Sequence, residues 1–124
     1  NYWGIKNLFT SKLEDKFSNF LLFSLNNLKI KILNRIKEPQ IGKSYIIGFR
    51  EEAVKIIDFK TYQDNLTNIL KIKILQTTFL GDYYLIEGKV EGLDHIVNFK
   101  SSYIPEKENV YVLVEPDKWF ILES

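Results

Sequence analysis

Two segments of similar layout, one in the middle of the chain and one near its end, constrain the fold most. Residues 46–56 (IIGFREEAVKI) comprise an apolar strand, a short charged turn and a second strand with alternating apolar residues. Residues 112–121 (VLVEPDKWFI) repeat this layout. Alternation with a period of two is typical of a half-buried β-strand. A repeated unit in a chain of 124 residues therefore predicts a duplicated β architecture.

The rest of the chain reads as further short strands separated by turn residues, in the same order in each half. The predicted strands are 7–13, 17–23, 28–33, 44–50 and 53–57, then 68–77, 83–90, 95–100, 110–115 and 118–122. In the first hairpin we place the turn at residues 14–16. Asn7-Leu8 corresponds to Asn68-Ile69, and Arg50-Glu51 to Glu115-Pro116.

These correspondences predict an all-β fold, a duplicated barrel of short antiparallel strands. We expect one domain, residues 1–124, built of two β lobes, about 1–57 and 68–124, with a linker at 58–67. Two half-barrels can bury each other's open edges, which neither could do alone.

The composition excludes most catalytic and metal-binding chemistry. The chain has no Cys and one His, so thiol catalysis and Cys- or His-based metal sites are excluded. Its net charge of +1 provides no field to attract nucleic acid or an anionic membrane. The sequence also lacks a membrane-spanning apolar run and a signal-peptide layout. We therefore expect a cytoplasmic domain that is not an enzyme and holds no catalytic residue, metal or cofactor.

Two isolated motifs have ordinary structural explanations. The segment 42–44 (GKS) matches the end of a phosphate-binding loop, but the Gly required five positions earlier is Lys37 and a strand follows. His95 has no nucleophile or orienting partner that the sequence can identify. We interpret the first as a turn and His95 as a structural or surface residue.

Two binding sites remain open from the residues alone. Aromatic residues interleaved with lysines could form a stacking platform for single-stranded nucleic acid. These are Tyr83, Tyr84, Phe99, Tyr111, Trp119 and Phe120, with Lys89, Lys100 and Lys118. A second set could bind a small oxyanion through hydroxyl and N–H groups, or could satisfy turn backbone instead. It consists of Thr67, Asn68, Lys100, Ser101 and Ser102.

Four segments, in order along the chain, resemble the C-terminal regulatory domain of importer-type ABC transporter ATPases, the TOBE or MOP-like domain. Residues 4–9 (GIKNLF) are similar to "G-x-x-N-x-[FL]", and 48–56 (GFREEAVKI) to "G-[IV]-R-P-E-x-[IV]-x-[IVL]", with Glu51 in place of Pro. Residues 74–86 resemble "V-x-x-x-E-x-L-G-x-x-x-x-[VL]", and 114–122 (VEPDKWFIL) resemble "F-D-P-x-x-x-x-[LV]-F".

The resemblance implies an OB-like, MOP-like barrel that serves as a non-catalytic regulatory and dimerisation domain of an ATP-binding subunit. ATP and Mg²⁺ would be bound only by a domain preceding Asn1. The lack of any Met indicates that the chain was either cut from a longer protein or processed. The implied partners are a second copy of the subunit, the transporter membrane subunits through the ATPase domain, and a small regulatory ligand. No nucleic acid or direct membrane insertion is implied, and the domain would be membrane-associated only through the transporter. For the interface we predict Leu80, Tyr83, Tyr84 and Trp119.

The transported solute depends on the branch of the family. The Leu80-Gly81 turn and the Pro116-Asp117 ending are typical of the sugar branch, so we favour uptake of a sugar or another solute. The molybdate/tungstate branch uses Ser, Thr, Asn and Lys near the predicted oxyanion residues, but its "S-x-R-N" segment is matched by residues 65–68 (NLTN) without Arg. An oxyanion-sensing domain is the alternative, and a single-stranded nucleic-acid-binding module is the second alternative.

Overall fold

Ten strands build two five-stranded antiparallel sheets in the computed structural model, which describes residues 7–62 and 67–122. The first sheet has the order β10-β4-β1-β2-β3. Its strands are β1 (Asn7–Lys16), β2 (Phe20–Leu25), β3 (Leu28–Leu33), β4 (Ser44–Phe49) and β10 (Trp119–Leu122).

The second sheet has the order β5-β9-β6-β7-β8. Its strands are β5 (Lys55–Ile57), β6 (Ile69–Phe79), β7 (Tyr84–Val90), β8 (Ile96–Ser101) and β9 (Asn109–Leu113). The described helical segments are one 3₁₀ turn at Glu51–Ala53 and the short helix α1 (Phe59–Tyr62). Across these described ranges, no helix has the length and apolar character needed to span a membrane. The all-β, duplicated-barrel prediction is confirmed.

Each half of the chain gives its last strand to the sheet of the other half. Strand β5 pairs with β9, and β10 pairs with β4. The repeated segments 46–56 and 112–121 are therefore not hairpins, because each carries the chain from one sheet to the other. We call residues 50–54 and 115–118 the two crossovers. Of the predicted linker, residues 59–62 form α1, while 63–66 lie outside the described residues.

The first hairpin also differs from the sequence-based prediction. Strand β1 continues through the charged residues expected to form its turn, and the chain turns at 17–19 instead. A β-bulge interrupts the register between Leu13 and Asp15, and a matching bulge lies in β6 between Ile74 and Gln76. Bulges bend a strand and increase its twist. The two long strands that begin each half are thus bent at equivalent positions.

The inward faces of both sheets form one continuous apolar core. In β2 the buried residues alternate with half-buried ones, as expected for a strand with one face inside. The largest core side chain is Trp119, whose ring lies 5.0 Å from that of Phe49 in a near-perpendicular arrangement and 6.1 Å from that of Phe9. Offset and edge-to-face aromatic contacts of this kind stabilise packing beyond burial alone. The exchanged strand β10 is therefore fixed to the first sheet by its core residue.

Candidate functional site

The two groups of predicted oxyanion residues lie at opposite ends of the second sheet. Thr67 and Asn68 directly precede β6. Ser101 pairs with Tyr84, which in turn pairs with Phe79 at the far end of β6. A strand rises by about 3.3 Å per residue, so the length of β6 separates the two groups. Within one chain, the two groups of predicted oxyanion residues therefore do not form a single site.

Asn68 is fully occupied in holding the two sheets together. Its Nδ2 donates to the carbonyl oxygens of Lys31 (2.8 Å) and Val114 (2.9 Å), and its Oδ1 accepts from the Lys31 N–H at 2.7 Å. The side-chain amide thereby makes the two hydrogen bonds to Lys31 that a neighbouring strand would make at the outer edge of β3. Asn68 is 2% exposed, and both of its amide hydrogens are used. Its side chain has no donor left for an oxyanion.

Asn7 makes the same set of contacts at the start of the other half. Its Nδ2 donates to the carbonyl oxygens of Asn98 (2.8 Å) and Phe49 (3.2 Å), and its Oδ1 accepts from the Asn98 N–H at 2.7 Å. We call Asn7 and Asn68 the asparagine clamps. The internal repeat in the sequence paired Asn7 with Asn68 but did not reveal their role. Hydrogen bonding of a side chain to a strand edge depends on the tertiary fold, which decides which edge lies beside each asparagine.

The residues at the end of β8 are engaged in local contacts. The Ser101 hydroxyl donates to the Tyr103 carbonyl at 2.6 Å and accepts from the Tyr103 N–H at 3.2 Å. The Nζ of Lys100 lies 4.7 Å from the centre of the Tyr83 ring, and Ser102 is exposed. Ser101 thus provides hydrogen-bond partners for backbone groups of the turn, which is the structural explanation that the sequence left open for this residue.

A small cavity beside the clamp at Asn68 has mixed charge. It measures about 170 Å³ and is lined by Thr67, Lys31 and Glu115, among others. The charges of the lining Lys31 and Glu115 cancel, and Glu115 is itself paired with Lys55 at 3.4 Å. The described surroundings of Asn68 therefore offer an oxyanion little net attraction.

Three of the four residues predicted at an interface lie near the turn of the β6–β7 hairpin. Leu80 is 46% exposed, and Tyr83 and Tyr84 are half-buried. Trp119 is instead 1% exposed and donates its Nε1–H to the Val114 carbonyl at 3.0 Å. Trp119 is a core residue and presents no surface to a partner.

Two further apolar side chains, not identified from the sequence, extend this surface. Leu75 at the bulge is 51% exposed and Phe79 is 59% exposed, with the Phe79 ring 5.0 Å from that of Tyr84. We call Leu75, Phe79, Leu80 and Tyr84 the apolar hairpin end. The predicted strand stopped at residue 77, so Phe79 lay outside it and its contribution was missed.

His95 is packed as a structural residue between the two sheets. Its ring stacks on that of Phe9 at 4.1 Å and is half-buried. Burial lowers the pKa of His95, and the backbone hydrogen bond to Leu8 and the charge of Asp94 oppose this only in part. Within 7–62 and 67–122, the acidic and His side chains form no group able to hold a metal ion.

Comparison with known proteins identifies a similar fold but no family. No protein-family model matches the chain, and no curated protein matches it. Among the solved structures, the chain is similar to the cytoplasmic molybdate-binding protein ModG with molybdate bound, with a TM-score of 0.77. The two are 11% identical over 94% of this chain and 95% of that chain. The chain thus has the duplicated MOP-like, OB-like fold, and the similar protein is a binding protein.

Proposed function

We propose that the chain is a non-catalytic regulatory and dimerisation domain of the ATP-binding subunit of an ABC importer for a sugar or another solute. The observation that carries this proposal is the apolar hairpin end. Phe79 and Leu80 are 59% and 46% exposed next to each other at the tip of β6. A cluster of exposed apolar side chains is typical of a surface that meets another protein.

The predicted oxyanion residues that are buried are already hydrogen-bonded within the fold. This supports a role in assembly for the domain over ligand binding at these residues. The side chains of Asn7 and Asn68 are satisfied by backbone groups of both sheets, and Ser101 is satisfied by its own turn. These groups stabilise the barrel. The apolar hairpin end has no such internal role, because its side chains extend past the core.

The proposed partner is a second copy of the same subunit, which would meet this domain through the apolar hairpin end. ATP and Mg²⁺ would be bound by another part of the full protein, and the membrane subunits would be contacted through that part. The domain itself would keep two ATPase units paired while they open and close.

Sedimentation velocity of the isolated chain across a wide concentration range tests the dimerisation surface. We expect concentration-dependent self-association, and we expect the double substitution Phe79→Ser/Leu80→Ser to weaken it at least about tenfold, equivalent to about 1.4 kcal/mol. The matched control is Phe17→Ser, because Phe17 is 44% exposed at the tip of the other hairpin. Equal effects of the two changes, or a monomer at every concentration, would contradict the dimerisation surface.

The attachment to an ATPase needs a separate measurement. An antibody raised against the chain should detect, in cells that make it, a product larger than 14.7 kDa that is retained on an ATP-analogue resin. A product of the size of the chain alone would exclude the ABC assignment while leaving the dimerisation result intact.

Oxyanion sensing is a second candidate, favoured by the similarity to a molybdate-binding protein. A ligand that binds only the folded state raises the melting temperature. If molybdate or tungstate raised it and sulfate did not, this second function would replace the first. We expect no such rise, because Asn68 and Ser101 are occupied and Glu115 faces the nearby cavity.

A further inference from the structure

The two crossovers, which the sequence already related to each other, line the same cavity. This cavity measures about 540 Å³ and includes Arg50 and Val54 from the first crossover and Glu115 and Lys118 from the second. Its volume lies in the range of small-molecule sites. We call it the crossover pocket. Because it adjoins the points where the chain changes sheets, anything bound in it contacts both halves of the barrel.

The apolar part of the crossover pocket consists of half-buried side chains packed beside one core residue. Ala53, Val54 and Phe120 are half-buried and lie beside Trp119. The Trp119 indole is fixed by its hydrogen bond to Val114 (3.0 Å) and is 1% exposed. The accessible parts of Ala53, Val54 and Phe120 provide an apolar wall, backed by the buried Trp119, from which a bound apolar group would displace water.

Four cationic side chains share the lining of the pocket with this apolar wall. Arg35, Arg50, Lys55 and Lys118 all line the pocket. Lys55 is paired with Glu115 at 3.4 Å, and Arg35 Nη2 donates to the backbone carbonyl of Asp117 at 3.5 Å. Arg50 and Lys118 have no ion-pair partner among residues 7–62 and 67–122.

The acidic groups in the pocket do not cancel these cations. The lining carboxylates are Glu52, Glu115 and Asp117. Three negative charges against four positive ones leave the lining with a net charge of +1. A fully hydrated inorganic anion would gain nothing from the apolar wall. An organic anion would use both parts of the pocket, because its charged group can meet a guanidinium while its body replaces water on the wall.

We propose that the crossover pocket binds a small organic carboxylate with an apolar body. The carboxylate lies against Arg50, whose planar guanidinium can donate two parallel hydrogen bonds to it. The apolar body lies on the wall formed by Val54 and Phe120, behind which Trp119 is buried. This binding is independent of the ABC assignment, and it gives the domain a place at which a metabolite can act on both sheets at once.

The test is an NMR titration of the ¹⁵N-labelled chain with phenylacetate, a carboxylate with an apolar ring. We expect saturable shifts of the Trp119 indole N–H and of the Ala53 and Val54 amides. Phenylacetamide, which has the same shape without the charge, should bind at least about tenfold more weakly, because hydrogen bonds between charged groups are stronger than those to a neutral amide. Sulfate should leave the Trp119 signal unchanged.

Variants locate the binding on the protein. Arg50→Gln should raise the Kd for phenylacetate about tenfold or more, whereas Lys107→Gln, an exposed lysine on another loop, should leave it unchanged. Equal affinity for the amide, an unchanged Kd in Arg50→Gln, or shifts confined to the apolar hairpin end would overturn the proposal. Since none of these outcomes depends on self-association, the result is separable from that of the Phe79→Ser/Leu80→Ser experiment.

Discussion

The two halves of the barrel share their interior but differ at the ends of their long hairpins. Both tips are closed by an equivalent backbone bond, from the Phe17 N–H to the Phe20 carbonyl (2.9 Å) and from the Leu80 N–H to the Tyr83 carbonyl (2.8 Å). The first tip exposes Phe17 beside the charged Lys16, and the Asn34 side chain donates to the Phe17 carbonyl at 3.2 Å. The second tip exposes two neighbouring apolar side chains, Phe79 and Leu80.

The bulged residues show the same difference. Glu14 occupies the bulge of β1 and is paired with Lys29 at 2.7 Å, whereas Leu75 occupies the bulge of β6 and is 51% exposed. Both strands have the same backbone bulge, but the bulged residue is charged in β1 and apolar in β6. The duplicated interior therefore serves the fold, and the difference between the hairpin ends is where a function specific to this chain is to be sought.

Removal of an asparagine clamp should have the largest effect on stability. In Asn68→Ala the N–H and C=O of Lys31 lose their side-chain partner, whereas the C=O of Val114 keeps its bond from the Trp119 Nε1–H. Each buried unsatisfied group costs about 1–3 kcal/mol, so we expect the free energy of unfolding to fall by about 3 kcal/mol or more. If the halves are equivalent, Asn7→Ala should cost a similar amount. Urea denaturation measures both.

A third variant separates the hydrogen bonds of Asn68 from its backbone conformation. The φ of Asn68 is +66°, a left-handed value that is unfavourable for Ala by about 1–2 kcal/mol and acceptable for Gly. Asn68→Gly should therefore be less destabilised than Asn68→Ala while losing the same contacts. A loss below about 1 kcal/mol in both variants would show that water replaces the clamp.

Sequence periodicity predicted the strands well where one face is buried. The alternating segment LKIKIL gave the bounds of β3, Leu28–Leu33, without error. The first turn was misplaced because Glu14, Asp15 and Lys16 were interpreted as turn residues, whereas they form the exposed end of β1. Charged residues are common both in turns and on solvent-facing strand ends, so local composition could not separate the two.

Other features depend on long-range contacts that no local pattern encodes. The crossovers looked like hairpins because a strand–turn–strand pattern does not say which sheet the second strand joins. Trp119 was predicted at a surface and lies in the core, since its strand is exchanged into the first sheet. Asn68 was a candidate ligand and is a clamp, because its partners lie 37 and 46 positions away along the chain.

A pH-dependent difference between the halves is expected at His95. This residue precedes Asn98 by three positions, as Leu28 precedes Lys31, so an apolar residue stands at the equivalent place in the first half. Burial holds the pKa of His95 below the usual 6.5. The unfolded chain then binds more protons in mildly acidic solution, and stability falls as the pH drops below 6.5 towards the folded-state pKa.

The substitution His95→Leu installs the residue type of the other half. Its free energy of unfolding should vary less than that of the wild type between about pH 7.5 and 5.5, a range in which ordinary carboxylates stay ionised. Asp94 and Lys12 line the cavity beside His95, so Asp94→Asn is the control: it should steepen the dependence by removing a charge that favours the protonated ring. Identical pH profiles of wild type and His95→Leu would assign the dependence to other groups.

The smallest effect is expected from the ion pair that distinguishes the first bulge. The Nζ of Lys29 lies 2.7 Å from Glu14, but the two side chains are 45% and 43% exposed. Exposed pairs contribute about 0.2–1 kcal/mol and are screened by salt. A double-mutant cycle with Glu14→Gln and Lys29→Gln should therefore give a coupling below about 1 kcal/mol. A coupling above about 2 kcal/mol, unchanged by salt, would mean that Glu14 is needed for the β1 bulge itself. The difference between Glu14 and Leu75 at the two bulges would then concern the stability of the fold rather than the chemistry of the surface.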